Sequence, residues 1–382
     1  MSYRYPIIFV HGIQGSWLKN QYPVDYQNEI CWTGILIKKP QLLHLNPQNP
    51  AVDEAVESFV APHQAVPFVY ESFVDELREE VTPYTFVFTY DWRKDNRASA
   101  IMLAAYVEGV LQKVNTHERQ RWQEKYRRDK KKLSQFREIK KVTLIGHSMG
   151  GLVIKWYVMN HLGPIATKKI DWIITAATPY RGSLDAVELL LPGARNFFGM
   201  ESKKALRHAA RTMPGAFQLL PSWDGALVTG KTNLSVFDPG IWQDNLVRTL
   251  RKEYGPSFLK EKLSEAQEFS EVVSADYPAE LRSRFFCIYG EGSSTWKQVR
   301  VNRSDGNWFD FQEASKDEHG DGTVHACSSR VKASKYHKEG RSPLRDLVGG
   351  QHAQILNHGG VQDAVVKCLT QNQYIESFES PR

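Results

Sequence analysis

Residues Lys141–Asn160 read KVTLIGHSMGGLVIKWYVMN. The apolar run Val142–Ile145 leads into Gly146–His147–Ser148–Met149–Gly150–Gly151 and then into a second apolar stretch. The first run is unbroken and not alternating, as a strand covered on both faces should be. The stretch Gly151–Leu162 reads as a helix, closed by Gly163 and Pro164. Gly-x-Ser-x-Gly between strand and helix is the pattern of a sharp turn that lifts the serine hydroxyl above the sheet edge. Side chains at Gly146 and Gly150 would collide with neighbouring backbone there. A serine hydroxyl at its free pKa is a poor nucleophile and needs exposure and an adjacent base. Ser148 is therefore a candidate nucleophile.

Outward from this stretch the same strand character recurs at Pro6–Gly12 (PIIFVHG), Tyr84–Trp92 (YTFVFTYDW), Ile170–Thr178 (IDWIITAAT) and Arg284–Gly290 (RFFCIYG). Helical stretches fall between them at Glu71–Val81 and Ala98–Val114. Strands alternating with helices imply a mainly parallel sheet in three layers. Together with the serine turn, this reads as an α/β-hydrolase fold, a central sheet flanked by helices. One such domain is expected over residues 1–382. Two stretches break the rhythm, about residues 16–70 and about residues 183–281. Long insertions in a compact enzyme are usually functional, and both are read as cap or lid material over the carboxyl edge of the sheet. The second holds Trp223, Trp242 and, within NFFGM, Phe197 and Phe198. These four are read as lining an apolar substrate pocket; the competing reading is that they pin the cap to the core.

A nucleophilic serine needs partners. The tetrahedral intermediate of acyl transfer carries a negative oxygen that needs donors. One is the amide of Met149, directly after the nucleophile. FVHGIQGS (Phe9–Ser16) has the strand–His–Gly–turn form that supplies the second, assigned to Ile13 with Gln14 as nearest competitor. In this fold the chain order is serine, acid, histidine. HGDGTVHACS places Asp321 between two glycines, with Asp310, Asp317 and Glu318 as rivals. GGQHAQILNH then offers His352, with His358 as the alternative. Asp321 would hold the imidazole tautomer and His352 would take the Ser148 proton.

Hydrophobic residues make up 41% and charged residues 24% of the 382 positions, a globular balance. The net charge of +6 fits affinity for anionic surfaces without naming a partner. Ahead of the strand that begins at Lys141, the run from His117 holds ten Lys or Arg against four acidic residues. It reads first as a solvated helix extension; the sharper reading is a patch that meets anionic membrane. Nucleic acid is not expected, since no glycine-rich or aromatic binding motif accompanies the charge. Cys31, Cys287, Cys327 and Cys368 are scattered, which reads as reduced thiols of a cytoplasmic protein and not as a zinc site. No metal or organic cofactor is expected. The start, MSYRYPIIFVHG, lacks the form of a secretion signal, and no window approaches the roughly 20 apolar residues of a membrane span.

PIIFVHGIQGS, TYDWR (Thr89–Arg93), GHSMGG, ATPYRGS (Ala177–Ser183), FCIYGEG (Phe286–Gly292), GDGTV (Gly320–Val324) and GGQHAQIL (Gly349–Leu356) occur in this order. In this the chain resembles the lecithin:cholesterol acyltransferase family, which includes lysosomal phospholipase A2. Where the family's first turn has Pro before Gly, this chain has His11. The resemblance implies a triad on Ser148, Asp321 and His352 and chemistry on lipid acyl esters. An acyl-serine would then be resolved by water or by an alcohol. A non-catalytic scaffold on the same fold is the rival from another class.

Overall fold

The computed structural model describes residues 3–21, 29–34, 39–160, 163–191, 206–303, 308–330, 344–348 and 351–371. The strands are β1 (Ile7–Val10), β2 (Ser16–Asn20), β3 (Glu29–Trp32), β4 (Val60–Ala65), β5 (Thr85–Phe88), β6 (Val142–His147) and β7 (Ile170–Ala176). They continue with β8 (Leu227–Thr229), β9 (Thr232–Leu234), β10 (Phe285–Glu291), β11 (Thr295–Val301), β12 (Phe309–Asp317) and β13 (Leu344–Val348). The main helices are α1 (Pro67–Glu76), α2 (Asn96–Lys125), α3 (Met149–Met159), α4 (Leu184–Leu190), α5 (Asp244–Tyr254), α6 (Phe258–Ser274) and α7 (Gly359–Gln371).

Six strands form the central sheet in the order β13-β10-β7-β6-β1-β5, and every neighbouring pair is parallel. The chain leaves β1 for β5 on one side, returns to β6 on the other, then steps outward through β7, β10 and β13. That reversal falls between β1 and β6, and in open α/β sheets ligands bind outside the carboxyl ends of the strands at such a point. The serine turn follows β6 directly.

The side chains of β1 alternate between two cores because successive residues face opposite sides of a strand. Ile8 and Val10 join Leu144 and residues of α2, α3 and α6 on one face. Ile7 and Phe9 join Ile145 and residues of α1 and α7 on the other. The five strands read from apolar runs are all in this sheet. The helix read at Ala98–Val114 extends to Lys125 and takes in the start of the basic run. Asp95 caps it by accepting from the Arg97 amide.

That run leaves the sheet at its amino edge, where the Tyr84 hydroxyl meets His117 and Glu118. Ion pairs within the run join Arg119 to Glu138, Arg121 to Glu118 at 3.0 Å and Lys132 to Asp129 at 3.8 Å. Trp122 packs on Tyr126 with ring centroids 4.5 Å apart. Among the described residues no helix is long and apolar enough to cross a membrane. All four cysteines are free thiols.

The first insertion forms the antiparallel sheet β3-β2-β4, and β8 and β9 of the second join β11 and β12 in another. Not all of residues 183–281 is cap. Helix α6 packs on α3 in the flanking layer, with Phe269 stacked on Trp156 at 5.2 Å, because its apolar stripe matches that helix. At the end of β5, Arg93 is fully buried and ion-paired to Asp91 at 2.7 Å and to Asp53 at 2.9 Å. The TYDWR segment thus locks the first insertion to the sheet.

Candidate active site

Ser148 sits at the turn with φ 53° and ψ −128°, a backbone that few non-glycine residues adopt. The surrounding chain over-determines it. A side chain on Gly150 would place its Cβ 2.2 Å from the Val10 carbonyl oxygen, so the start of α3 can approach β1 only with glycine there. Across the crevice, a Cβ on Gly12 would stand 2.8 Å from Ser148 Cβ. The loop after β1 therefore lies directly against the nucleophile. It turns tightly, the Gly15 amide donating to the Gly12 carbonyl at 3.1 Å, with Gln14 at φ 60°.

Ser148 Oγ is 2.9 Å from His352 Nε2, and His352 Nδ1 is 2.8 Å from Asp321 Oδ2. A carboxylate only accepts, so Nδ1 carries the proton and Nε2 offers its lone pair to the serine hydroxyl. Asp321 is aimed by its own turn: its Oδ1 accepts from the amides of Thr323 at 3.0 Å and Val324 at 2.7 Å. The His352 amide donates to the Asp321 carbonyl at 3.0 Å, which joins the two loops. The rivals lie elsewhere. Asp317 is bound to His325 and Lys297, and His358 accepts from the Gly360 amide at the head of α7.

Met149 begins α3, so its amide is among the first-turn donors that no helical carbonyl takes. Ile13 and Gln14 both line the cavity beside Ser148. This cavity, of about 340 Å³, is lined by Val66, Phe68 and Val69 and also by Leu189, Ala216 and Leu219. Both insertions thus contribute walls.

Trp223 and Trp242 do not line it. The Trp223 indole donates to the Lys297 carbonyl at 3.2 Å. The Trp242 indole donates to Val236 at 2.8 Å, with its ring 5.4 Å from Phe309. Both are buried pillars of the β12-β11-β8-β9 sheet and not walls of the pocket, contrary to the expectation from the sequence. Phe197 and Phe198 lie outside the described residues. Among the described residues no group of three or more His, Cys, Asp or Glu is placed to hold a metal.

Three further residues, Tyr70, His147 and His11, support the site. Tyr70, from α1, donates to His147 Nδ1 at 3.0 Å and accepts from the Gly12 amide at 3.2 Å. His147 Nε2 is 3.0 Å from the His352 carbonyl. Burial, with the neighbouring His352 second, pushes the His147 pKa down to about 3. His11 stacks on Tyr90 at 4.4 Å, and burial pushes its pKa down to about 4. Both rings are neutral structural elements. The histidines are visible in the PIIFVHG and GHSMGG motifs, whereas nothing local marks Tyr70.

The sheet order and the hydrogen-bonded serine at its switch point place the chain among the α/β-hydrolases. The family model for lecithin:cholesterol acyltransferase matches residues 54–253, just over half of the chain, and the chain belongs to that family. No curated protein sequence matches it. Among solved structures, it is similar to a chain of the Tle4–Tli4 complex, with TM-score 0.59, 14% identity and coverage of 98% of this chain and 100% of that one. That likeness is one of fold. Weaker overlap is found with the mature lipase BlEst2 of Bacillus licheniformis, at TM-score 0.40, 14% identity and coverage of 96% and 92%. Lipase 1 of Pelosinus fermentans overlaps at TM-score 0.37 and 13% identity, with coverage of 98% and 99%.

Proposed function

We propose that the chain is a serine carboxylic-ester hydrolase acting on lipid-type acyl esters through an acyl-serine. The observation that carries this is the Ser148–His352–Asp321 hydrogen-bond chain opening into an apolar cavity. His352 Nε2 takes the Ser148 proton as Oγ attacks the ester carbonyl, and Asp321 stabilises the imidazolium. The amides of Met149 and Ile13 receive the developing oxyanion. Collapse expels the alcohol, protonated by His352. Water, deprotonated by the same imidazole, then releases the acid and regenerates Ser148.

Membership of an acyltransferase family supports a second reading, in which an alcohol and not water resolves the acyl-serine. In either reading the segments lining the cavity act as its cap, and lipid enters beside Phe68, which is 50% exposed at the cavity wall. Contact of the basic run with anionic membrane would turn the amino edge of the sheet to the bilayer and the cavity away from it. That run is therefore not part of substrate delivery. The compartment that goes with four free thiols is the cytoplasm.

The experiment is labelling with a fluorophosphonate probe, followed by a p-nitrophenyl ester series with and without an added alcohol. Labelling of the wild type and none of Ser148→Ala is expected. A wild type that neither labels nor hydrolyses any ester would leave a scaffold.

A further inference from the structure

Asp185 sits in the first turn of α4, 9% exposed, in a wall of the cavity that also holds Ser148 and His352. Its amide is engaged by the Ser183 hydroxyl, but among the described residues its carboxyl group makes no hydrogen bond. The walls around it are largely apolar, so a polar group placed there without a partner is costly unless a ligand supplies one. We propose that the Asp185 carboxyl recognises a hydroxyl group on the alcohol half of the ester, so that the site takes acyl esters of polyols of the glycerol kind. This rests on the ester-hydrolase reading and names its substrate class.

Burial, then Glu188 on the same helix, then Asp321 from the acid loop push the carboxyl pKa well above its ordinary value; Lys316 on β12 opposes them. A hydroxyl donates to a carboxylate and can both donate to and accept from a carboxylic acid, so it matches the Asp185 carboxyl in either state. An anionic group would meet Asp321 and Glu188 and be repelled. A quaternary ammonium offers no donor or acceptor and leaves the hydrogen-bonding capacity of the Asp185 carboxyl unmet. The acyl chain finds its match in Val66, Val69, Leu189 and Leu219.

Binding to Ser148→Ala, measured by calorimetry, tests this without turnover. The probes are a monoacylglycerol and the propyl ester of the same acid. Sites that hydrogen-bond a substrate hydroxyl reject analogues lacking it, and the glyceryl ester is expected to bind at least about 10-fold more tightly. Adding Asp185→Leu should erase the difference, whereas Asp185→Asn, whose amide still donates, should keep most of it. Equal binding of the two esters, or a difference that survives Asp185→Leu, overturns the proposal. So does a choline ester that binds more tightly than both and depends on Asp185. Should Asp185→Leu not fold, Asp185→Ala takes its place and is read by the same two outcomes. Failure of the serine chemistry would show in probe labelling of the wild type, not here.

Discussion

The Nε2–H of His147 points at the carbonyl oxygen of His352, 3.0 Å away. A carbonyl only accepts, so Nε2 carries the hydrogen and Nδ1 must accept, which it does from the Tyr70 hydroxyl. The Tyr70 oxygen in turn accepts from the Gly12 amide. Three directional bonds thus tie the loop after β1, the serine turn and the histidine loop together.

Tyr70→Phe should loosen this connection while leaving the aromatic packing on Phe9 in place. It orphans the buried Gly12 amide and His147 Nδ1, at a cost of about 1–3 kcal/mol. If the network positions His352, kcat should fall by up to about 10²-fold with KM little changed. Steady-state kinetics beside denaturant unfolding checks this. A raised KM at unchanged kcat would show that the network shapes binding instead.

Asp321→Asn should lower kcat on the order of 10⁴-fold, because an amide opposite Nδ1 favours the wrong imidazole tautomer. The turn should survive, since an Asn oxygen can still accept from the Thr323 and Val324 amides. Probe labelling, kinetics and a melting curve separate the two effects. A variant that keeps its activity would remove Asp321 from the mechanism.

Ser148, Asp321 and His352 were legible because each lies in a short motif whose local turn aims the side chain. The five apolar strands were legible for a related reason: burial on both faces leaves a run with no polar breaks. β13 was not, since Arg345 and Asp346 interrupt LRDLV and the parallel pairing with β10 is a tertiary fact. Tyr70 and Asp185 were illegible because packing of α1 and α4, not spacing, brings them to the serine. Trp223 and Trp242 show the opposite failure. Aromatic content marks apolar burial, but only the partner of each indole N–H tells a pillar from a pocket wall.

The chain-length series distinguishes those two roles. Trp242→Ala should cost about 3–5 kcal/mol of stability as a core truncation and lower activity equally on short and long esters. Leu189→Trp, which fills the cavity, should cut kcat/KM on long acyl esters far more than on acetate esters. A p-nitrophenyl series from acetate to palmitate reads both. A selective long-chain loss in Trp242→Ala would restore it to the pocket.

Arg93→Met should destabilise by about 3–5 kcal/mol, since it strands the buried carboxylate of Asp53 and leaves that of Asp91 only the more distant Lys94, at 3.9 Å. Adding Asp91→Asn and Asp53→Asn should recover much of that loss, because neutral amides need no counter-charge. Urea unfolding midpoints of the single and triple variants measure it. No recovery in the triple variant would mean that the guanidinium's bond to the Leu42 carbonyl, and not the charge pairing, holds the first insertion down.

Acid should destabilise the fold through two buried histidines. His147 and His11 are buried, and burial holds their pKa values down to about 3 and about 4. Unfolded, each would titrate near its ordinary value of about 6.5. Above that pH both states are neutral and the folded protein keeps its full stability. Between about 6.5 and 4 the unfolded chain binds two protons that the native one excludes. Stability should therefore fall as pH falls, by roughly 1.4 kcal/mol per pH unit for each ring at the steepest. His147→Gln, which removes one of the two, should flatten the dependence by about one proton while lowering stability at pH 7 through the lost bond to His352. Unfolding free energies at pH 7, 6, 5 and 4.5 for the two proteins provide the comparison. Parallel curves would show that His147 charges within the folded state, which its contact with Tyr70 and His352 is built to prevent.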